Sequence, residues 1–286
     1  MSFLGRYFFL FEQLDSFRVQ LLFVCCLVLL VAVIAKQRVA GLIVFIVILL
    51  HASQLRDLYI PVKPVQTDQS IRLMSSNLLA SNVSHEAILA QISQIDPDVI
   101  LFQEYTSQWH RILNDALTEY PHRVVYTLDS PFGIAAYSRL PIVEGQVDSI
   151  ASFPVVDIKV QLAQVPVRIL GVHPIPPMSD RTYNSRNEYL NSVAMESRLY
   201  DGPMAVAGDF NAVPWSWHFK KMLDDGKLKS ARDGFGLKPT WPGNFVPLWI
   251  PIDHILHNSH LSVIDFDTGK SAGSDHKPIW VDLSLL

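Results

Sequence analysis

"AVAGDFNAVPWS", residues 205–216, is the stretch on which the reading of this chain turns. Its apolar start has the composition of a strand buried on both faces, yet it runs out into Asp209 and Asn211, a carboxylate and an amide two residues apart. A carboxylate deep inside a strand must be paired or carry a heavy desolvation cost, whereas at a strand end it can be aimed into a crevice. In an extended segment residues two apart share a side, so Asp209 and Asn211 are expected to face one ligand together.

The same design recurs along the chain. "IRLMSSN" closes on Asn77, "DVILFQE" on Glu104 and "VRILGVH" on His173, while "PIDHIL" brings in Asp253 at its start and "GSDHKPIW" carries Asp275 and His276 just ahead of a strand. Taken singly, Asn77 or Asp209 is adequately explained as a turn or capping residue. Repetition at six strand ends points to convergence on one crevice.

Working outward, apolar runs bounded by turn signals alternate with helical patterns, first "IRLMSSN", a helix near His85 to Ile95, "DVILFQE", a helix near Ser107 to Glu119 and "HRVVYTL". A run of strands follows ("GIAAYS", "PIVEGQVDSI", "VVDIKVQL", "VRILGVH"), then helices near Arg181 to Tyr200 and near Trp215 to Asp225 around "MAVAGDFN", and finally "IDHILH", "LSVIDFD" and "PIWVDL". This pattern predicts an α/β fold, a layered α/β sandwich of two packed mixed sheets flanked by helices.

Ahead of that domain lies a different composition. "FRVQLLFVCCLVLLVAVIA", residues 17–35, has no charge after Arg18, and 17 such residues give about 25 Å of helix, enough for a membrane span. "VAGLIVFIVILLHA", residues 39–52, is shorter and reads as a tilted second span, a re-entrant piece or an interfacial helix, with a two-helix hairpin the favoured reading. Phe3, Leu4, Tyr7, Phe8, Phe11 and Leu14 recur at helical spacing with Arg6, Glu12 and Asp15 between them, as expected for a helix on the bilayer surface or an extension of the first span. The expected organisation is therefore a membrane anchor over 1–58 (interfacial helix plus transmembrane hairpin), a Pro-rich linker over 59–70 that lifts the domain off the membrane, and a catalytic domain over 71–286. Lys36 and Arg38 would hold the hairpin turn in the cytoplasm and put the catalytic domain outside, against the opposing pull of Arg6, Arg18, Arg56 and Lys63.

Both cysteines, Cys25 and Cys26, fall in the first apolar run, so the rest of the chain offers neither a disulfide nor a thiolate metal ligand. Residues 64–286 hold 17 basic and 24 acidic residues, a net charge of −7, which speaks against duplex DNA as the main partner. Trp215, Trp217, Trp241 and Trp249 sit beside the motif loops, where core packing is the commoner role and an apolar substrate groove the other.

In order and spacing, "SSNLL", "PDVILFQE", "GVHPIPP", "AGDFNAVPWS", "PIDHIL" and "GSDHKPI" resemble the endonuclease/exonuclease/phosphatase superfamily of metal-dependent phosphoesterases, over residues 71 to 286. "HPIPP" followed by "RN", with apolar spans ahead, is similar to a bacterial membrane-anchored branch of it, which implies the inner membrane as location. The resemblance implies Mg²⁺ or Mn²⁺ held by Glu104 with Asn77 and Asp275, in keeping with an oxygen-only donor set. It implies His276 as general base or phosphate-contacting imidazole oriented by Asp253, Asp209 acting on the attacking water, and Asn211 and His173 supporting phosphoryl oxygens. Arg186 and Asn187 would bind substrate phosphate, while His254, next to Asp253, would point the other way and be structural. The implied partners are a phosphoester substrate and the lipid bilayer. The implied activity is phosphodiester or phosphomonoester hydrolysis, of a lipid headgroup or small phosphorylated metabolite, with a nuclease as first alternative and a non-catalytic binding module as second.

Overall fold

A computed structural model describes residues 5–286; Phe3 and Leu4 of the expected surface helix lie outside the described residues. Three helices come first, α1 (Phe9–Ser16), α2 (Arg18–Ile34) and α3 (Arg38–Ser53). The domain that follows runs β1 (Ser70–Asn77), α4 (His85–Ile95), β2 (Val99–Gln103), α5 (Ser107–Ala116), β3 (His122–Tyr126), β4 (Ile134–Ser138), β5 (Ile142–Ile150), β6 (Phe153–Leu162), β7 (Val165–Val172), α6 (Asp180–Leu199), β8 (Met204–Asp209), α7 (Trp217–Gly226), β9 (Lys229–Ser230), β10 (Asp253–His257), β11 (Leu261–Thr268) and β12 (Ile279–Leu285).

The strands form two six-stranded sheets, ordered β11-β12-β1-β2-β4-β3 and β5-β6-β7-β8-β10-β9, each built around one parallel pair, β1/β2 and β7/β8. The period of two divides their side chains between two cores. Leu73, Val99, Leu101, Ile169, Ala205, Ala207 and Ile255 point into the space between the sheets. Met74, Ile100 and Phe102 face outward beneath α4 and α5, and Leu170, Met204, Val206 and Leu256 beneath α6 and α7. Strands covered on both faces read as continuous apolar runs, which is why their alternation was hidden in the sequence. The expected sandwich of two mixed sheets is what forms. Only the short β9 had no sequence signal.

Topology then brings the polar strand ends to one end of the sandwich. Parallel pairing sets Asn77 beside Gln103, so Glu104 follows at the same edge, and Val172 beside Gly208, so His173 and Asp209 are adjacent. Antiparallel pairing returns Asp253 opposite Asp209, and β12 starts opposite the end of β1, Ile279 against Ser75, delivering Asp275 and His276. Gly208 is required here: a Cβ at its φ of +155° would lie 1.9 Å from the Val172 carbonyl oxygen. Gly133 does the same for Glu104, since a Cβ there would lie 2.1 Å from the carbonyl oxygen of Tyr105.

Among the described residues no single helix is both long and apolar enough to cross a membrane; α1 and α2 reach that length and composition only together, and they are bent by 71°. Helices α2 and α3, 17 and 16 residues, pair as a hairpin whose apolar side chains are largely exposed, Phe23, Val31, Ile34, Val39, Leu42 and Leu50 among them. Helix α1 is amphipathic in the reverse of the usual sense. Glu12 and Asp15 are buried against the catalytic domain, and Tyr7, Phe8, Leu10 and Leu14 face outward.

Just ahead of the expected linker the chain is docked on the domain. Leu55 and Leu58 pack with Val213, Trp215, Ile250 and Ile252, and Gly234 and Gly236 donate to the carbonyls of Asp57 and Leu58. Val65 and Thr67 donate their backbone N–H groups to the hydroxyls of Ser262 and Ser284 at 2.9 Å each. Residues 59–70 are exposed throughout, and those hydroxyls, on the outer side of β11 and β12, satisfy two of the segment's backbone N–H groups.

Candidate active site

At the convergent end lies a cavity of about 340 Å³ lined by Glu104, His173, Asp209, Asn211, Asp275 and His276 together with Phe132, Pro176, Pro177, Trp241 and Ile250. Asp209 is its centre. The Asn211 backbone N–H donates to Asp209 Oδ1 at 2.9 Å and the Asn77 side-chain amide to Oδ2 at 3.3 Å. The ring nitrogens Nε2 of His173 and His276 approach the same Oδ2 at 3.5 and 3.6 Å, longer than a good hydrogen bond. Catalytic contacts of this kind tighten only around substrate.

His276 is oriented from behind, its Nδ1 2.9 Å from Asp253 Oδ2, so that Nε2 faces the cavity. Burial opposes charge on this ring, yet the carboxylates of Asp253 and Asp209 outweigh it and push the imidazole up to about 10. Burial would raise the Asp209 carboxyl, but His276 first and His173 after it hold it below its ordinary value. Burial raises Asp253, against the pull of the same imidazolium. At neutral pH the arrangement is therefore an ionised Asp209 facing a protonated His276.

Asn211 does not reach its place by strand alternation. Strand β8 ends at Asp209, and Asn211 has φ +49°, a left-handed conformation that Asn tolerates better than most residues. Its side-chain amide donates to the Pro174 carbonyl at 3.0 Å and lies 3.5 Å from Asp209 Oδ2. Glu104 is also left-handed, φ +56°, which is costly for its side chain. Its Oε2 accepts from the Ala80 N–H at 2.8 Å and its Oε1 from the Asn77 amide at 3.1 Å. The Asn77 side chain thus turns its nitrogen toward Glu104 and Asp209, while its oxygen accepts from Leu79 N–H at 3.0 Å.

Asp275 is held by Trp241, whose Nε1 donates to Oδ2 at 3.0 Å; the other oxygen, Oδ1, is buried with no partner among the described residues. An orphaned carboxylate oxygen in the cavity that Glu104 also lines, with no sulfur donor nearby, suits a hard divalent cation. Asp209, Asp253 and His276 form a second group able to hold an ion, with ligand atoms within 4.8 Å of one another. The protonated ring of His276, already engaged by Asp253, makes it the poorer site.

The structure does not bring Arg186 and Asn187 to the cavity. Arg186 is fully buried, and its guanidinium donates to Glu12 Oε2 at 2.5 Å, to the Asn211 carbonyl at 2.5 Å and to Asn187 Oδ1 at 2.8 Å. No donor of that guanidinium faces a phosphate, because a carboxylate 174 positions upstream in the sequence takes it. His254 is buried behind the site, its Nε2 bonding the Ala212 carbonyl at 2.8 Å, in keeping with a structural role. Trp215 is a core residue, whereas Trp241 lines the cavity. Gln13 and Ser16 of α1 also line it, which no motif signalled.

This fold and cluster define a class. A profile of the Endonuclease/Exonuclease/phosphatase family matches residues 74–276, and the chain belongs to that family of phosphoester hydrolases, whose members use divalent metals. Among solved structures it is similar to D. rerio TDP2 complexed with single-strand DNA product (14% identity, TM-score 0.63, 76% of this chain and 100% of that one). It is likewise similar to a family protein from Bacteroides thetaiotaomicron (20%, 0.58, 77% and 96%) and to the human Nocturnin catalytic domain with bound sulfate (18%, 0.61, 78% and 97%). A comparison with curated proteins found no match.

Proposed function

We propose that this chain is a membrane-anchored, divalent-metal-dependent phosphoesterase acting on a phosphodiester or phosphomonoester carried at a bilayer surface, a lipid headgroup before a small phosphorylated metabolite. The observation that carries the reading is the Asp209 carboxylate and the Nε2 of His276 meeting in one cavity with the orphaned oxygen of Asp275. Glu104 and Asp275, with Asn77 beside them, would hold Mg²⁺ or Mn²⁺, which when bound draws charge from the phosphoryl oxygens. Asp209 takes a proton from the attacking water. His276 Nε2 and His173 donate to oxygens that gain charge, and Asp253 keeps the His276 ring in register. Asn211 adds its amide beside them.

Anchoring rests on the exposed apolar hairpin and the outward apolar face of α1, surfaces that water would not tolerate at this extent. On this reading both ends of the hairpin lie on the domain's side of an inner bacterial membrane, and the Lys36–Arg38 turn stays cytoplasmic. Met178, which lines the cavity, is exposed beside Pro176 and Pro177, an apolar edge suited to a substrate whose tail stays in lipid. The nuclease reading takes its support from the DNA-bound D. rerio relative. Against it, no lysine or arginine among the described residues lines the cavity.

The test is product formation by the full chain in lipid nanodiscs with Mg²⁺, Mn²⁺ or chelator, the alcohol and phosphomonoester from a diester or free phosphate from a monoester, offered phospholipid, nucleotide, aryl phosphodiester and single-stranded DNA. Metal-dependent turnover of the lipid, lost in His276→Ala, is expected. Turnover indifferent to chelation or to that substitution overturns the chemistry, and preference for DNA overturns the substrate.

A further inference from the structure

Helix α1 is more than the foot of an anchor. Gln13 and Ser16 line the catalytic cavity, and the helix grips the motif loop 209–216 at two separate points. At one end Glu12, buried at 4% exposure, binds the Arg186 guanidinium, whose Nη1 donates to the carbonyl of Asn211. At the other end Trp215 Nε1 donates to the Asp15 carbonyl at 2.7 Å. Flanking bonds fix the helix itself. Gln13 donates to the Pro177 carbonyl at 2.8 Å, Tyr183 to the Gly5 carbonyl at 2.6 Å, and Gln20 to the Trp249 carbonyl at 3.0 Å.

Asn211 is held in place by contacts from outside its own loop. Its left-handed backbone is a sparsely populated conformation that persists only where the surroundings over-determine it. Its own loop holds only the backbone N–H, through Asp209; the side chain is held by Pro174 and the carbonyl by Arg186, both from outside the loop. A guanidinium with no solvent exposure in turn requires a carboxylate, since a lone buried cation is strongly disfavoured. Glu12 supplies it. The planar fork lets one side chain reach Glu12, Asn211 and Asn187 at once, which a lysine ammonium on a single stem could not do in the same geometry.

We propose that α1 is a structural wall of the active site, with Glu12 and Arg186 as positioning residues that hold Asn211 in its catalytic conformation, so that anchor and catalytic centre are one unit. This inference rests on the phosphoesterase reading for its kinetic consequence but not for its structural one.

The experiment compares the full chain with Glu12→Ala, Glu12→Gln and Arg186→Lys in nanodiscs, reading metal-dependent kcat and KM on an aryl phosphodiester and hydrogen exchange over residues 209–213. Glu12→Ala is expected to lower kcat by about tenfold or more, with KM moved by less than about threefold. Glu12→Gln, which keeps an acceptor of the same size, should recover part of the loss. Arg186→Lys should resemble Glu12→Ala although the positive charge is kept. In Glu12→Ala the 209–213 amides should exchange faster below the unfolding temperature. A variant that melts earlier yet keeps wild-type kcat and wild-type exchange over 209–213 would show a merely structural contact and overturn the proposal. Should the wild-type chain hydrolyse nothing, the phosphoesterase reading falls, and the exchange measurement alone decides the clamp.

Discussion

The molecule buries two clusters of charge on either side of the 209–216 loop, and they are composed differently. In the cleft four carboxylates (Glu104, Asp209, Asp253, Asp275) face two imidazoles; Asp253 and Asp209 raise His276 against the effect of burial, and Asp275 Oδ1 has no partner among the described residues. At the junction with α1 two carboxylates face two guanidiniums, Glu12 with Arg186 and Asp15 with Arg18, and the charges balance. An unbalanced cluster is poised to take up a cation and a phosphate, whereas in a balanced one the charges offset one another. The junction therefore holds parts together, and the cleft acts on something that arrives.

The largest effects should separate these two roles. Glu104→Gln is expected to reduce turnover by about 10³-fold or more while leaving the unfolding midpoint nearly unchanged, as steady-state kinetics beside a urea titration would show. Equal losses of activity and stability would erase the distinction. Asp15→Asn should do the reverse, lowering stability by roughly 3 kcal/mol because it removes the carboxylate from a buried ion pair, with metal affinity retained.

Cation binding sharpens the contrast further. Mg²⁺ at about a hundred times its Kd should stabilise the wild-type chain by roughly 2.7 kcal/mol, and the shift should vanish in Glu104→Gln/Asp275→Asn but survive Asp15→Asn. A shift kept in the double variant and lost in Asp209→Asn would move the ion to the Asp209, Asp253 and His276 group.

Acid probes the wall behind the loop. Burial, followed by the nearby Arg232, pushes His254 down to about 3, and burial likewise pushes His218 down to about 4. Their folded-state values lie below those of the unfolded chain, so the unfolded chain binds protons first and stability falls as pH drops below about 6.5. Between about pH 6.5 and pH 5 His254 alone should cost roughly 2 kcal/mol, read from urea midpoints, and His254→Gln should flatten that limb. A limb just as steep in the variant would place the titrating group elsewhere. Smallest of all, Asp225→Ala removes an exposed i,i+4 partner of Lys221 and should change stability by less than about 0.5 kcal/mol.

How far the residues could be read in advance varied with the range of the interaction. Strand β1 and helix α4 were visible because apolar runs, turn residues and helical spacing are local signals. The strand-end residues Glu104, His173, Asp209, Asp275 and His276 were visible because a polar group terminating an apolar run is a local anomaly, and all five line one cavity. Asn211 was identified by its type, but its placement comes from a left-handed turn, and strand alternation did not foretell it. Arg186 misled. Its neighbours in sequence suggested a phosphate ligand, and its actual partner, Glu12, gave no sign of facing inward from a helix whose spacing suited a bilayer surface.

What the amino-acid order determined by itself was the α/β alternation, the apolar segments at the start, and the stock of hard oxygen and imidazole donors, since each depends on neighbours a few positions apart. What tertiary structure alone decided was which charges meet. Pairing across the two sheets set Asp253 opposite Asp209, and docking of α1 turned Glu12 and Asp15 inward, because a buried guanidinium takes whichever carboxylate the packed chain brings within reach, however distant in sequence.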